Sequence, residues 1–166
     1  MDIASELKVM VVEDDPDLLD IMGEIVLRHF PNILKLSDGT HAYEQFNDFQ
    51  PDFIVCDIQM AVMSGIEFIS KIRADGHSTP VILCSGDPSR ADLKRALTLG
   101  VVDFIEKPFN VQSVESSIFR MLEVRSRSEQ LNELIEKYGE SSEQVRKQRR
   151  IIALYQALNA KRTFKP

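Results

Sequence analysis

The chain has 166 residues, 43% of them hydrophobic, and a formal net charge of −6, enough apolar mass for one globular domain and a small appendage. Its longest apolar runs are strand-sized, which excludes a membrane-spanning helix, and no basic region precedes the first of them, so no secretory signal is expected. The charge is uneven: residues 1–124 carry 10 Lys+Arg against 21 Asp+Glu, net −11, and residues 125–166 carry 10 against 5, net +5, so the front repels nucleic acid and the basic tail suits an anionic surface.

In chain order, strand-like and helix-like segments alternate to about residue 124. Lys8–Val12 reads as a strand that Glu13 and Asp14 close. Pro16 then opens a helix, where its missing N–H is not needed, and Leu18, Leu19, Met22, Ile25 and Val26 recur at helical spacing. Ile33–Leu36 is the second strand, followed by a turn at Ser37-Asp38-Gly39 and a helix with Ala42, Phe46 and Phe49 inward. Phe53–Cys56 is the third strand, with Asp57 at its C-terminal end. Ser64-Gly65 precedes a helix carrying Ile66, Phe68, Ile69 and Ile72. Val81–Cys84 is the fourth strand, ended by Ser85, and Asp87-Pro88 is expected to start a helix through Leu93, Ala96 and Leu97 that Gly100 stops. Val101–Ile105 is the fifth strand, with Lys107 just beyond it. Asn110 caps a fifth helix carrying Val111, Val114, Ile118, Met121 and Leu122. Five strand–helix pairs with short apolar strands imply an α/β fold, a parallel sheet covered on both faces.

Beyond residue 124 the apolar positions continue at Leu131, Leu134, Ile135 and Tyr138, so the front domain (residues 1–124) is expected to carry a helical tail (residues 125–166). Gly139 ends the first tail helix, giving a break near 139–141, and Ser141 with Gln144 makes a capping box for a second, which carries Val145, Ile151, Ile152, Leu154, Tyr155 and Leu158. The tail reads as a helical hairpin or two coiled segments; Arg125 and Ser128 on the apolar seam argue against one uninterrupted coiled coil. Arg146, Lys147, Arg149 and Arg150 form a candidate basic patch, with the solvated face of a packing helix as the favoured reading over contact with nucleic acid. Cys56 and Cys84 lie inside apolar strands and read as buried, reduced thiols, which goes with a cytoplasmic location. His29, His41 and His77 read as surface residues at helix ends or turns.

Strand C-termini of an open parallel sheet converge on one edge, where ligands bind. That edge would gather Glu13, Asp14, Asp57, Ser85 and Lys107. Carboxylates at close range raise each other's pKa or demand a cation, and an all-oxygen set without His or Cys suits Mg²⁺. A carboxylate beside such an ion can attack phosphorus and become an aspartyl phosphate. Mg²⁺, Lys107 and the Ser85 hydroxyl then answer the charge on the phosphoryl oxygens.

In order and spacing, Glu13-Asp14, Asp57, Ser85 and Lys107-Pro108-Phe109, with the loop Asp57-Ile58-Gln59-Met60-Ala61-Val62-Met63-Ser64-Gly65, resemble the receiver domain of bacterial two-component response regulators over about Leu7 to Val124. The resemblance implies a flavodoxin-like (βα)5 doubly wound sheet of order 2-1-3-4-5, here with a C-terminal helical extension. It implies phosphorylation of Asp57 by a sensor histidine kinase or histidine phosphotransfer protein. Asp14 would bind Mg²⁺ directly, Glu13 through water, and the Gln59 backbone carbonyl would be a further ligand. Ser85 and Phe104 would form the switch pair, and Lys107 would bind phosphate across a cis peptide to Pro108. The output would be a change in the face made by the fourth helix, fifth strand and fifth helix. That change would act on the tail, on homodimerisation through the fifth helix and tail, or on an output domain beyond this chain. Two departures stand out: Ala61 where the family has proline, which loosens the loop, and Phe104 for tyrosine, which eases an inward rotamer. The alternatives are a nucleic-acid-binding regulator using the basic tail, and a Mg²⁺-dependent aspartyl-phosphate enzyme. Gln59 disfavours the enzyme, because that chemistry wants a second acid two residues after the nucleophile. The expectation is therefore a phosphoacceptor and not an enzyme.

Overall fold

A computed structural model of the chain describes residues 6–152. The elements run β1 (Lys8–Val12), α1 (Pro16–Leu27), β2 (Asn32–Leu36), α2 (Gly39–Phe49), β3 (Phe53–Asp57), α3 (Gly65–Ala74), β4 (Val81–Ser85), α4 (Arg90–Thr98), β5 (Asp103–Glu106) and α5 (Val111–Tyr138). All strand pairings are parallel, in the order β2-β1-β3-β4-β5. This is the flavodoxin-like arrangement, with the order reversing between β1 and β3.

The period-two rule divides the core in two. Val9, Val11, Phe53, Val55, Ile82, Cys84 and Ile105 face one side, under α1 and α5. Met10, Val12, Ile54, Cys56, Val81 and Leu83 face the other, against α2, α3 and α4. β3 and β4 are buried along their whole length. Each large apolar side chain fully buried there contributes roughly 1.5–3 kcal/mol.

Local signals set the ends. The Asp15 carboxylate accepts from the Asp17 and Leu18 N–H groups, and Pro16 follows it at the first helical position. Ser64 and Glu67 close a capping box on α3, and Asn110 and Ser113 close one on α5. The Lys107–Pro108 peptide is cis.

Five expectations are corrected. α4 starts at Arg90, not at Asp87-Pro88, because Ser89 and Asp92 form a reciprocal capping box one turn later. β5 is Asp103–Glu106, not Val101–Ile105; Val102 donates one bond to the Val81 carbonyl before the strand proper begins. Leu97 is exposed, since Ala96 supplies the buried contact of that short helix. The helix after Gly139 runs from residue 143 to the last described residue, 152, and is capped by Ser142, whose hydroxyl accepts from Val145 N–H, not by Ser141. Of the histidines only His41 is exposed: His29 and His77 are half-buried. The His29 ring lies 2.9 Å from the Glu115 carboxylate, and the His77 ring sits 4.7 Å from that of Phe46.

α5 continues through residue 124 without interruption to Tyr138. Arg125 reaches Asp52 at 2.8 Å and Glu129 at 2.8 Å, and the Ser128 hydroxyl donates to the Val124 carbonyl. The expected apolar positions Leu154, Tyr155 and Leu158 lie outside the described residues. No helix among the described residues is long and apolar enough to cross a membrane.

Candidate functional site

The parallel register delivers the strand ends together. Val12 pairs with Cys56, Asp57 with Cys84, and Ser85 with Glu106, so the residues that follow or end these strands share one edge. Parity then sorts them. Glu13 continues the Val9–Val11 row and Asp57 the Phe53–Val55 row, which puts both on the α1/α5 side of the sheet. Ser85 continues the Val81–Leu83 row toward α3 and α4, and Phe104 packs against that same side, half-buried.

Carboxylate oxygens of Glu13, Asp14 and Asp57 lie within 4.8 Å of one another, with Glu13 and Asp57 buried and Asp14 exposed. Lys107 sits among them, its ammonium 2.7 Å from Glu13 Oε2 and 3.1 Å from Asp57 Oδ2. Burial pushes the Glu13 carboxyl above its ordinary range, against the pull of its hydrogen bond with Lys107, and the Asp57 charge adds to the rise. Burial likewise raises Asp57, opposed by the Lys107 charge and by the backbone amides of Ile58 and Gln59. Burial pulls the Lys107 ammonium down, but its contacts with Glu13 and Asp57 outweigh that and its net shift is upward. One cation therefore serves a cluster of three acids, a set short of positive charge.

Two buried polar atoms among the described residues have no hydrogen-bond partner, Asp57 Oδ1 and Ser85 Oγ. Such atoms are rare, because each forgoes its hydration. A hard cation beside the carboxylates and a phosphoryl group beside the hydroxyl would satisfy both. The donor set fits Mg²⁺ on the same grounds: oxygen ligands, excess negative charge and an exposed Asp14 edge that leaves room for water. Gln59 follows in the loop and is exposed.

Sequence reasoning missed three features. The Ala61 N–H donates to Asp14 Oδ2 at 3.1 Å, a bond that proline could not make. Gly65 packs so tightly under the loop that an added Cβ would lie 2.1 Å from the Asp57 carbonyl oxygen. Asp103, buried beside Phe104 in sequence, accepts from the Ser117 hydroxyl and from Arg120, whose Nε is 2.7 Å away, tying β5 to α5. The first followed from the Ala61 departure itself; the third had no local signal, since its members are 14 and 17 residues apart. The tail residues Arg146, Lys147, Arg149 and Arg150 are all exposed, and Arg149 pairs with Glu140 at 3.0 Å. They lie apart from the acidic cluster, on the helix after the Gly139 turn.

A family model described as the response regulator receiver domain matches residues 9–119. Among curated proteins, "Regulator of RpoS" of Escherichia coli (strain K12) is 33% identical over 101 residues, covering 61% of this chain and 30% of that protein. "Chemotaxis protein CheY" of Halobacterium salinarum is 28% identical over 115 residues, covering 69% of this chain and 96% of that protein. Among solved structures, the N-terminal domain of an uncharacterized protein from Wolinella succinogenes superposes with a TM-score of 0.65 at 30% identity, covering 72% of this chain and 98% of that one. The match thus spans less than a third of the Escherichia coli relative.

Proposed function

We propose, from the premise that the chain belongs to the response regulator receiver domain family, that Asp57 is its phosphoacceptor and that Mg²⁺ supports the transfer. The observation that carries this reading is the buried Asp57 carboxylate, with one oxygen on Lys107 and the other without a partner, inside a three-acid cluster. The donor would be a phosphohistidine on a sensor kinase or phosphotransfer protein.

An Asp57 oxygen attacks phosphorus, the phosphorus–nitrogen bond breaks, and the leaving imidazole takes up a proton. Asp14 and Asp57 would hold Mg²⁺ directly, Glu13 through water, and the Gln59 carbonyl would complete the protein's share. When bound, the ion neutralises charge on the phosphoryl oxygens. Lys107 exchanges part of its contact with Asp57 for a phosphoryl oxygen, and the Ser85 hydroxyl donates to another. Phosphorylation adds roughly −1.5 to −2 charges and draws Ser85 and Lys107 toward the phosphate, with Phe104 filling the space on the Ser85 side. The readout is the α4/β5/α5 face and, through continuous α5, the tail. We read residues 1–124 as the regulatory unit, 125–166 as the tail, the setting as cytoplasmic, and the chain as a phosphoacceptor and not a turnover enzyme.

The test is labelling by a small-molecule phosphodonor with Mg²⁺, wild type against Asp57→Asn, read by intact mass. A single phosphoryl adduct lost in Asp57→Asn is expected. Unaltered labelling of Asp57→Asn would overturn the assignment.

A further inference from the structure

α4 is fastened at one end. Of its nine residues only Ala96 is buried. The residues that join the core there, Ala96 and the C-cap Leu99, both sit at its C-terminal end. Leu93, nearer the start, is half-buried but outside the core cluster. The N-terminal end closes on itself, because Ser89 and Asp92 cap each other. A screened attraction between Arg95 and the exposed Glu67 of α3 adds little.

The C-terminal end is bound far more firmly. Gly100, with φ 70°, turns the chain, so that its N–H reaches the Leu97 carbonyl and the Val101 N–H reaches that of Ala96, a Schellman closure. The Leu99 carbonyl accepts from Arg73 Nε at 2.9 Å. The same guanidinium donates from Nη1 to the His77 carbonyl at 3.0 Å and from Nη2 to the Thr79 carbonyl at 2.9 Å. All three nitrogens are thus engaged by main-chain oxygens, one at the end of α4 and two in the α3–β4 loop. Burial pulls the guanidinium below its ordinary pKa, and no carboxylate offsets that. The cation also faces the negative end of the α4 dipole. A lysine lacks the planar fork that spans three separate carbonyls.

The two ends lie at opposite edges of the sheet. His77 and Thr79 precede Val81, so Arg73 acts at the edge where the strands begin. The other end of α4 follows Ser85 through Gly86, Asp87 and Pro88, at the edge where the acids gather. The loosely held end is therefore next along the chain from the Ser85 hydroxyl, which has no partner. The fastened end is a helix length away, about 13 Å.

We propose that α4 is a flap hinged at its C-terminal end, that Arg73 is the positioning residue that holds the hinge, and that the N-terminal end opens independently of the rest of the domain. Arg73 sets how readily the whole helix leaves the sheet: without it three carbonyls lose their donor, and the Schellman bonds with Ala96 and Leu99 are what remains. A change at Ser85 reaches the free end through the short loop while the far end keeps its register. The anchorage goes beyond the phosphoacceptor reading and does not depend on it, since none of the Arg73 acceptors belongs to the acidic cluster.

The test is native-state hydrogen exchange of the full chain, without phosphodonor or metal, read amide by amide. In wild type the Leu93 amide, bonded to the Ser89 carbonyl, should be at least tenfold less protected than the amides of Leu99 and Val101, bonded to Arg95 and Ala96. It should also be at least tenfold less protected than Phe68, which follows the same kind of capping box on α3. Arg73→Met should lower protection at Leu99 and Val101 at least tenfold more than at Val55 and Leu83 of the core strands, about the worth of one charge-assisted bond. Arg73→Lys should not restore it. Gly100→Ala strains φ without meeting any neighbour; it should loosen the same amides with Arg73 in place, which tests the hinge even where Arg73→Met folds poorly. Asp57→Asn should keep the wild-type gradient, which separates this proposal from the phosphoacceptor assignment. Even protection along α4, or a loss in Arg73→Met no greater than in the core strands, would overturn it.

Discussion

Replacing Lys107 with Met tests whether one cation holds the acidic edge together. Its ammonium lies 2.7 Å from Glu13 and 3.1 Å from Asp57, and the three side chains are 16%, 6% and 5% exposed. At an effective dielectric constant near 20, unit charges about 3 Å apart attract by roughly 5 kcal/mol before desolvation is subtracted. Measured losses on breaking such buried pairs are about 3–5 kcal/mol, because the remaining charge is left uncompensated. Lys107→Met should therefore lose about 3–5 kcal/mol at pH 8. The pH dependence fixes the cause. Glu13 and Asp57 already titrate above their unfolded values, and removing Lys107 raises them further. Between the unfolded and folded values the folded state binds more protons, so stability falls as pH rises through that window. The deficit of Lys107→Met should then shrink as pH drops toward about 4, where unfolded carboxyls protonate. Urea denaturation from pH 5 to 8, in Mg²⁺-free buffer, measures it. Asp57→Asn in the Lys107→Met background should restore most of the loss. A deficit under about 1 kcal/mol, or one flat across that pH range, would refute the argument, since either would mean the ion pairs are solvated as surface pairs are.

Three further outcomes follow from the same geometry. Mg²⁺ should stabilise the wild type by about 2.7 kcal/mol at 100 times its dissociation constant, and far less in Asp14→Asn; equal thermal shifts in both would remove Asp14 from the site. Ala61→Pro deletes the N–H that occupies Asp14 Oδ2 and should tighten Mg²⁺ binding by about 2- to 10-fold, the worth of one hydrogen bond; a titration showing unchanged or weaker affinity contradicts that role. Gly65→Ala places a methyl 2.1 Å from the Asp57 carbonyl oxygen, so the loop must shift; about 1–3 kcal/mol of lost stability and slower labelling of Asp57 are expected, and wild-type behaviour in both would show that the loop yields freely.

The fold was legible because its signals are local and repeated. Alternating apolar residues in β1, β3 and β4 carry two cores at once, and short caps punctuate every helix start. The site was legible because parallel strands bring distant acids to one edge by topology alone. Elements failed where two local signals competed. Asp87-Pro88 and Ser89 both offer a helix start, and only the reciprocal Ser89–Asp92 bonds decide between them. Ser141 and Ser142 pose the same choice, settled by the Ser142 bond to Val145 N–H. The Asp103–Ser117–Arg120 cluster and the Glu13–Lys107 pair depend on side chains meeting across elements, which no spacing rule encodes.

Parity along β5 gives that hidden cluster its significance. Ile105 faces the α1/α5 core, and Asp103, two residues before it, points the same way, to Ser117 and Arg120 of α5. Phe104, between them, faces the side of Ser85, α3 and α4. One four-residue strand thus places Phe104 on the Ser85 side of the sheet and grips α5 through Asp103. A rotation of β5 that moved Phe104 inward would carry Asp103 with it, because adjacent side chains on a strand are fixed to opposite faces of the same pleat. Asp103 cannot drift from its partners at little cost, since a buried carboxylate without them is unfavourable by several kcal/mol. Asp103 therefore ties the position of β5 to that of α5 through two hydrogen-bonded partners. α5 has no interruption before Tyr138, and at Arg125 the Asp52 ion pair holds the helix to the sheet.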